Sequence, residues 1–411
     1  MSLDGISIKK GKIGSNTISS SDGISGLIIA CLATGALAHG IVKTIYNTID
    51  AENLGLNEAF DINNNVNAFR HISEFYRMKG DGQKLFIMLV PDTTTMVSIC
   101  EDSNEEFAKK ILIEAGGEIR RLAIAMNPET PVTALDGIAN DVHAAIPKAQ
   151  LLHDWSFERF MPCQIFLEGH HYSGGAASSL NLRSLSAPKV SVMIGQDWQH
   201  AETKTGEAQK YADIGTMLGV GSASFVNQNI GDNEVFNLTD INRDIWVKPA
   251  LSNHKTNKEV FSDLSTLNTK GYIFGVEYTG LGGARFNDDH TCVEIIKDAN
   301  GNVNEHSIAF GETADKAVRE LRKALLPKVK SDHAIDASTG KLPLGVIKNF
   351  EGIGDGVFAD MVRRKEITFG KMYVDPQSDL VTEKVLKTSF TIIPRGSVGE
   401  ISGTINLKSN L

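Results

Sequence analysis

Lys84-Leu85-Phe86-Ile87-Met88-Leu89-Val90, closed by Pro91, is the stretch on which the fold turns. Its apolar residues run without alternation, so a strand here has no face for water and must be covered on both sides, as in a sheet sandwiched between helices. The flanking sequence supplies the helices. Residues 66–78 place Phe69, Ile72, Phe75 and Tyr76 on one side of a helix. Ser103 and Glu106 have the spacing of a capping box, predicting a helix that carries Phe107, Ile111 and Leu112 and stops at Gly116-Gly117. Residues 119–126 read as a second buried strand, and Leu135, Ile138, Val142 and Ile146 as the stripe of a further helix. Residues 164–167 and 190–194 read as more strands. Strands alternating with helices of this length predict an α/β fold with a mixed, largely parallel sheet.

This α/β domain is expected at residues 23–250, followed by a C-terminal α/β domain at 251–395. An extended N-terminal arm, residues 1–22, precedes them, and a C-terminal arm strand, residues 396–411, follows. The N-terminal arm spaces Ile6, Ile8, Ile13 and Ile18 among Gly, Ser and Lys, too little apolar surface for a core. At the other end, residues 385–393 read as one strand, ended by Pro394-Arg395-Gly396. In a second, Ile401, Gly403, Ile405 and Leu407 alternate with Glu400, Ser402, Thr404, Asn406 and Lys408. Nothing downstream covers either, and a half-apolar terminal strand needs a sheet edge, in its own subunit or in a neighbour.

The most clearly patterned helix is predicted over 313–326. Ala314, Ala317, Val318, Leu321, Ala324 and Leu325 form its apolar stripe; Lys316, Arg319, Glu320, Arg322 and Lys323 form its solvent face. Thr313 is the expected N-cap, and Pro327 blocks continuation.

Composition bounds the function. The 411 residues are 41% hydrophobic and 22% charged, as in ordinary globular proteins. The net charge of -9, with no basic block to offset it, argues against a dedicated nucleic-acid binder. Cys31, Cys100, Cys163 and Cys292 lack CxxC spacing and read as reduced thiols. The uncharged residues 24–38 fall short of the roughly 20 that cross a bilayer and read as a core segment.

No catalytic, cofactor or metal site emerges. Asp288-Asp289-His290 is expected as a surface turn, because three adjacent side chains cannot converge on one ion. His170-His171 lacks HExxH spacing and reads as a loop at a strand end. Gly219-Val220-Gly221-Ser222 and Gly280-Leu281-Gly282-Gly283 match no phosphate-binding fingerprint and read as close packing or turns.

Several segments carry a resemblance. They are Ser2-Leu3-Asp4-Gly5-Ile6; Asp50-Ala51-Glu52-Asn53-Leu54-Gly55-Leu56; Phe286-Asn287-Asp288-Asp289-His290-Thr291; the 316–329 helix with its LLPKV exit; Tyr373-Val374-Asp375-Pro376; and the closing strand, proline-glycine break and strand of 389–411. In this order they resemble the contractile tail sheath proteins of phages, prophages and related injection systems, with the large variable outer domains of the bigger sheaths missing or reduced.

The resemblance implies a structural subunit, not an enzyme, that polymerises as stacked hexameric rings around an inner tail tube and contracts to drive the tube through a target cell envelope. Terminal arms would be exchanged as strands between copies, with Ile6, Ile8, Phe390, Ile392, Ile401, Ile405 and Leu407 at the subunit interface. Gly11, Gly14, Gly396, Gly399 and Gly403 are candidate hinges; Arg319, Arg322, Lys323, Arg363 and Arg364 are candidate tube-facing residues. The implied partners are other copies, the inner tube, and baseplate and terminator proteins, with no cofactor, nucleic acid or membrane span. The implied place is the tail of a virion or contractile particle, assembled in the bacterial cytoplasm. Two other readings stay open: another self-assembling tail or capsid component, and a cytoplasmic α/β enzyme with a pocket at the carboxyl ends of its strands.

Overall fold

The computed structural model describes residues 21–405 and 407. Ile6, Ile8, Gly11 and Gly14 therefore lie outside the described residues. The strands of the main sheet are β1 (Ser25–Ala30), β2 (Val42–Ile45), β3 (Leu85–Val90), β4 (Arg121–Ala125), β5 (Gln164–Glu168) and β6 (Val190–Met193), in the order β2-β3-β1-β4-β5-β6. All neighbours are parallel except β2, which runs antiparallel to β3 at one edge. The apolar run that begins at Leu85 is buried along its whole length, and β1, at the head of the uncharged 24–38 segment, lies beside it in the sheet interior.

Helices cover both faces. On one, Ile28 and Ala30 of β1 share a core with Ile111 and Leu112 of α2 (Ala108–Glu114) and Val142, Ile146 and Leu152 of α3 (Asn140–Glu158). On the other, Leu27 and Ile29 share a core with Phe69, Ile72 and Phe75 of α1 (Ala68–Lys79) and Met217 and Leu218 of α4 (Ile214–Ala223). The alternation along β1 decides which core each residue enters. Gly219 belongs to α4 and is there for close packing: a Cβ would stand 2.8 Å from the Phe75 carbonyl oxygen.

A third core, smaller and separate, unites α5 (Ile308–Leu325), α6 (Leu344–Arg363) and a ribbon of β7 (Ile367–Val374) and β8 (Thr388–Pro394) through Ala317, Leu321, Phe350, Phe358, Met361 and Met372. Ile308 at the start of α5 packs in the sheet domain, so α5 spans both units. Leu251, Val260, Leu267, Tyr272, Phe274, Ala284, Phe286 and Cys292 also bury in the two sheet cores. The hydrophobic partition thus falls between Ile308 and Ala317.

Several elements differ from expectation. The N-cap of α5 is Ser307, whose Oγ accepts from Phe310 N–H at 3.2 Å, not Thr313. Helix α2 begins at Ala108, so Ser103 and Glu106 form no capping box there. Leu135 and Ile138 lie in a short hairpin that precedes α3. Asp289 and His290 are buried, not in a surface turn: His290 meets Asn268 at 2.9 Å, and Asp289 accepts from Ala309 N–H at 3.0 Å. His170-His171 does follow β5 as a loop, with both rings buried.

Candidate assembly interface

The predicted strand at 385–393 exists as β8 but is not uncovered. It pairs antiparallel with β7, with Met372 opposite Phe390, Gly370 opposite Ile392 and Phe369 opposite Ile393. Residues 344–394 form this unit because β7 alternates: Ile367, Met372 and Val374 turn toward α6 and are buried, while Phe369 and Tyr373 are half exposed on the other face. The contact is tight, since a Cβ on Gly370 would stand 2.5 Å from Cγ of Phe358. Phe390 and Ile392, expected as arm residues, thus belong to the ribbon itself. Phe390 points toward α6, its ring centroid 6.4 Å from that of Phe358, yet remains 42% exposed.

The second predicted strand is absent from the described residues. Residues 400–405 are irregular, and Ile401, Ile405 and Leu407 are 90%, 92% and 98% exposed. Among the described residues no sheet edge receives them, so their alternating pattern has no ladder to join there. The segment from Arg395 to Ile401 instead forms one wall of a cavity of about 880 Å³, facing Phe225, Asp232 and Asp288 of the sheet domain and Arg364 and Lys365 of the ribbon unit. A Cβ on Gly396, Gly399 or Gly403 would meet open space.

The polar face of α5 is not a solvent face throughout. Lys316 is buried, with its Nζ 2.5 Å from Asp22 and 2.5 Å from Glu366, tying the segment before β1 to the start of β7. Glu312 pairs with the fully buried Arg121 of β4, which also donates to the Asp22 carbonyl at 2.8 Å. Burial pushes the Glu312 carboxyl up to about 7, against the pull of Arg121. Lys189 binds Asp315 at 2.7 Å. Buried pairs of this kind hold parts in register more than they stabilise, because desolvation offsets most of the attraction.

Among the tube-facing candidates, Arg319 is partly buried, 3.8 Å from Asp22, and Arg364 is engaged by Glu320 at 2.7 Å and Glu366 at 3.0 Å. Arg322 and Lys323 are exposed at the end of α5, with Arg322 stacked 3.3 Å over the Phe160 ring centroid. Arg363 is exposed beside Asp360 at 2.7 Å. The structure brings Arg319, Arg364 and Lys316 into one ionic cluster with Asp22, Glu320 and Glu366, and leaves Arg322, Lys323 and Arg363 outside it. Sequence reasoning did not identify Lys316, Asp22 and Glu366 as a group, since their separation in the chain carries no local signal.

The carboxyl ends of β1, β4 and β5, in the region where α/β enzymes bind ligands, are occupied by the protein's own side chains. Asn127 donates to the Ala30 carbonyl at 3.1 Å and accepts from Asn67 N–H at 2.8 Å. Beside it, Glu168 accepts from Met126 N–H at 2.6 Å and Ala212 N–H at 2.8 Å. Burial drives the Glu168 carboxyl up to about 8, the two N–H donors holding it back in part. No cluster of three His, Cys, Asp or Glu side chains able to hold a metal occurs among the described residues, and none of their helices is long and apolar enough to cross a membrane.

Comparison with known proteins places the chain. Residues 3–290 match the family model described as DUF2586, N-terminal domain, and residues 311–411 match the DUF2586, C-terminal domain. No curated protein matches it. Among solved structures, a chain of the anti-feeding prophage baseplate, six-fold symmetrised, aligns at TM-score 0.59 and 14% identity over 99% of each chain. A chain of the contracted helical sheath of the same particle aligns at 0.58 and 14%, again over 99% of each. The contracted sheath complex of an extracellular contractile injection system, PVC, aligns at 0.54 and 11%, over 100% of this chain and 98% of that one. At these identities the likeness establishes the fold: a mixed α/β body of the kind found in contractile sheath assemblies.

Proposed function

The chain belongs to the DUF2586 family, and from that premise and its fold we propose that it is the sheath subunit of a contractile tail or injection particle. Many copies polymerise helically, as stacked hexameric rings, around an inner tube. The assembled lattice contracts, shortening and widening, and drives the tube through the target envelope. The role is structural and involves no cofactor; the filled carboxyl ends of β1, β4 and β5 support this over a catalytic one.

The observation that carries the reading is the mismatch at the C-terminal end. Ile401, Ile405 and Leu407 alternate as a strand requires yet are almost fully exposed, while the ribbon presents a short two-stranded sheet with outer edges. Strand addition between copies satisfies both: main-chain hydrogen bonds supply strength and the alternating side chains set register. A donor at one end of the chain and an acceptor elsewhere on the body make a head-to-tail contact, which does not close on itself and generates a helix of subunits.

Rigid bodies linked by extensible arms rearrange between two packed lattices, each a discrete arrangement of interfaces. Gly396, Gly399 and Gly403, unhindered in their surroundings, serve as the hinge of the C-terminal arm. Arg322, Lys323 and Arg363, exposed outside the ionic cluster, face the tube; Arg319 and Arg364 serve the internal ionic cluster first. Baseplate and terminator proteins cap the polymer, which belongs to a virion tail or contractile particle built in the bacterial cytoplasm.

Deletion of residues 396–411 tests this. The truncated protein is expected to fold and melt as the full chain does, because Val398, Ile401, Ile405 and Leu407 are exposed, and to lose tube formation in negative-stain images. Tubes formed equally well by the truncated protein would overturn the proposal.

A further inference from the structure

The body of the subunit is held firmly up to the residues at which its two ends leave it. On the N-terminal side, the Asp22 carbonyl accepts from Arg121 at 2.8 Å and the Gly23 carbonyl accepts from Ser222 Oγ. Gly23 is also closely packed, since a Cβ there would stand 2.9 Å from the Ser222 carbonyl oxygen. On the C-terminal side, β8 ends at Pro394, which lies opposite Ile367 and whose carbonyl accepts from Thr368 Oγ1 at 3.1 Å. Arg395 donates to the Lys365 carbonyl at 3.4 Å, and only from Gly396 onward does the main chain run through open space.

One side chain joins these two exits. Lys316 Nζ lies 2.5 Å from Asp22 at the N-terminal exit and 2.5 Å from Glu366, the residue before the Ile367 that faces Pro394. All three side chains are buried. Each carboxylate also keeps a cation of its own: Arg319 is 3.8 Å from Asp22, and Arg364 is 3.0 Å from Glu366. Charge balance at either exit therefore does not depend on Lys316 alone. What Lys316 adds is the bridge between them, and a buried bridge of this kind fixes geometry more than it stabilises.

Resting on the sheath reading above, we propose that Lys316 is a positioning residue for assembly, holding the two arm exits at one fixed separation. In a head-to-tail polymer each copy is linked to the next through arm, body and arm, and the body's share of that link is the span from Asp22 to Pro394. A constant span gives every copy the same step along the helix. A variable span spreads the steps, so that identical contacts are not repeated from copy to copy. The freedom needed for rearrangement then lies in the arms, beginning at Gly396 on the C-terminal side, and not in the body.

The test measures, by double electron–electron resonance, the distance between nitroxide labels at Ser21→Cys and Ile393→Cys in the full-length protein. Both positions are exposed, and all four native cysteines are buried. A single narrow distance is expected. Lys316→Met is expected to widen the distribution at least about twofold, because the bridge alone sets the span, and to abolish long tubes in negative-stain images. Asp22→Asn should widen it likewise, whereas Lys316→Arg, which keeps a cation able to reach both carboxylates, should preserve both the width and the tubes. A second pair of labels within the sheet domain, at the exposed positions Thr44→Cys and Ile62→Cys, is expected to keep its width in every variant. An unchanged width in Lys316→Met, equal widening of the second pair, or tubes of normal length from the widened protein overturns the proposal. The expected distances in a protein that forms no tubes even without the substitution count against the sheath reading alone.

Discussion

Replacing Gly370 by alanine tests the packing of the ribbon unit. An added Cβ would sit 2.5, 2.6 and 2.7 Å from Cγ, Cδ1 and Cβ of Phe358, against an ordinary van der Waals contact near 3.4–4 Å. Phe358 is 1% exposed and cannot swing away, so β7 must lift from α6 by about an ångström or the ring must leave its rotamer. Overpacking of this kind costs about 1–3 kcal/mol, and it falls on the smallest of the three cores. Gly352 and Gly356 on α6 provide the controls: a Cβ at either meets nothing within 4 Å. Alanine there should stabilise by up to about 1 kcal/mol through helix propensity and a less flexible unfolded chain. Urea denaturation of the three variants, with hydrogen exchange followed on β7 and β8, reads the difference. Gly370→Ala should lower the midpoint and loosen the ribbon amides, while the controls should raise it or leave it unchanged. A Gly370→Ala protein as stable as Gly352→Ala would refute the close approach of ribbon and helix.

Two further perturbations probe the sheet domain. Arg70→Met removes the cation that binds Asp213 at 2.7 Å and Asp197 at 2.9 Å, all three buried; a loss of about 3–5 kcal/mol is expected, since carboxylates are left uncompensated, and calorimetry showing less than about 1 kcal/mol would contradict the network. Thermal stability should carry a component that declines with alkalinity. Glu168 and Glu312 have folded-state values raised to about 8 and about 7, so their contribution is complete below the ordinary glutamate range and is lost as pH rises through those values. The melting midpoint should therefore fall between about pH 4.5 and about pH 8, with a shallower fall in Glu312→Gln; a midpoint that rises over this window would contradict the assignment.

The sheet was legible because its strands are buried on both faces: residues 84–90, 119–126 and 164–167 announce themselves by continuous apolar character, and the structure finds strands at each. The start of α5 was not, because Gly311 interrupts the stripe while Ile308 buries in a different core from Ala317 and Leu321. The burial of Lys316 had no sequence signal either, since its partners Asp22 and Glu366 stand far away along the chain. At the candidate interface, β8 and the exposed alternation at 401–407 were readable. Strand β7 and the carboxylates on α6 were not, because the bonds from Met372 and Val374 N–H to Asp355 and Glu351 join one element's main chain to another's side chains across a distance the sequence does not signal. Whether a strand pattern folds onto its own subunit or waits for another is decided by the free edge, which only the tertiary structure shows.

If copies join by adding the exposed segment around Ile401 and Ile405 of one to the sheet of the next, the pure protein builds a tube by itself. Negative-stain microscopy of purified full-length protein at high concentration tests it most directly. Helical tubes or short stacks of rings are expected; a protein that stays monomeric, with no tubes at any concentration at which it remains soluble, would refute assembly by strand addition.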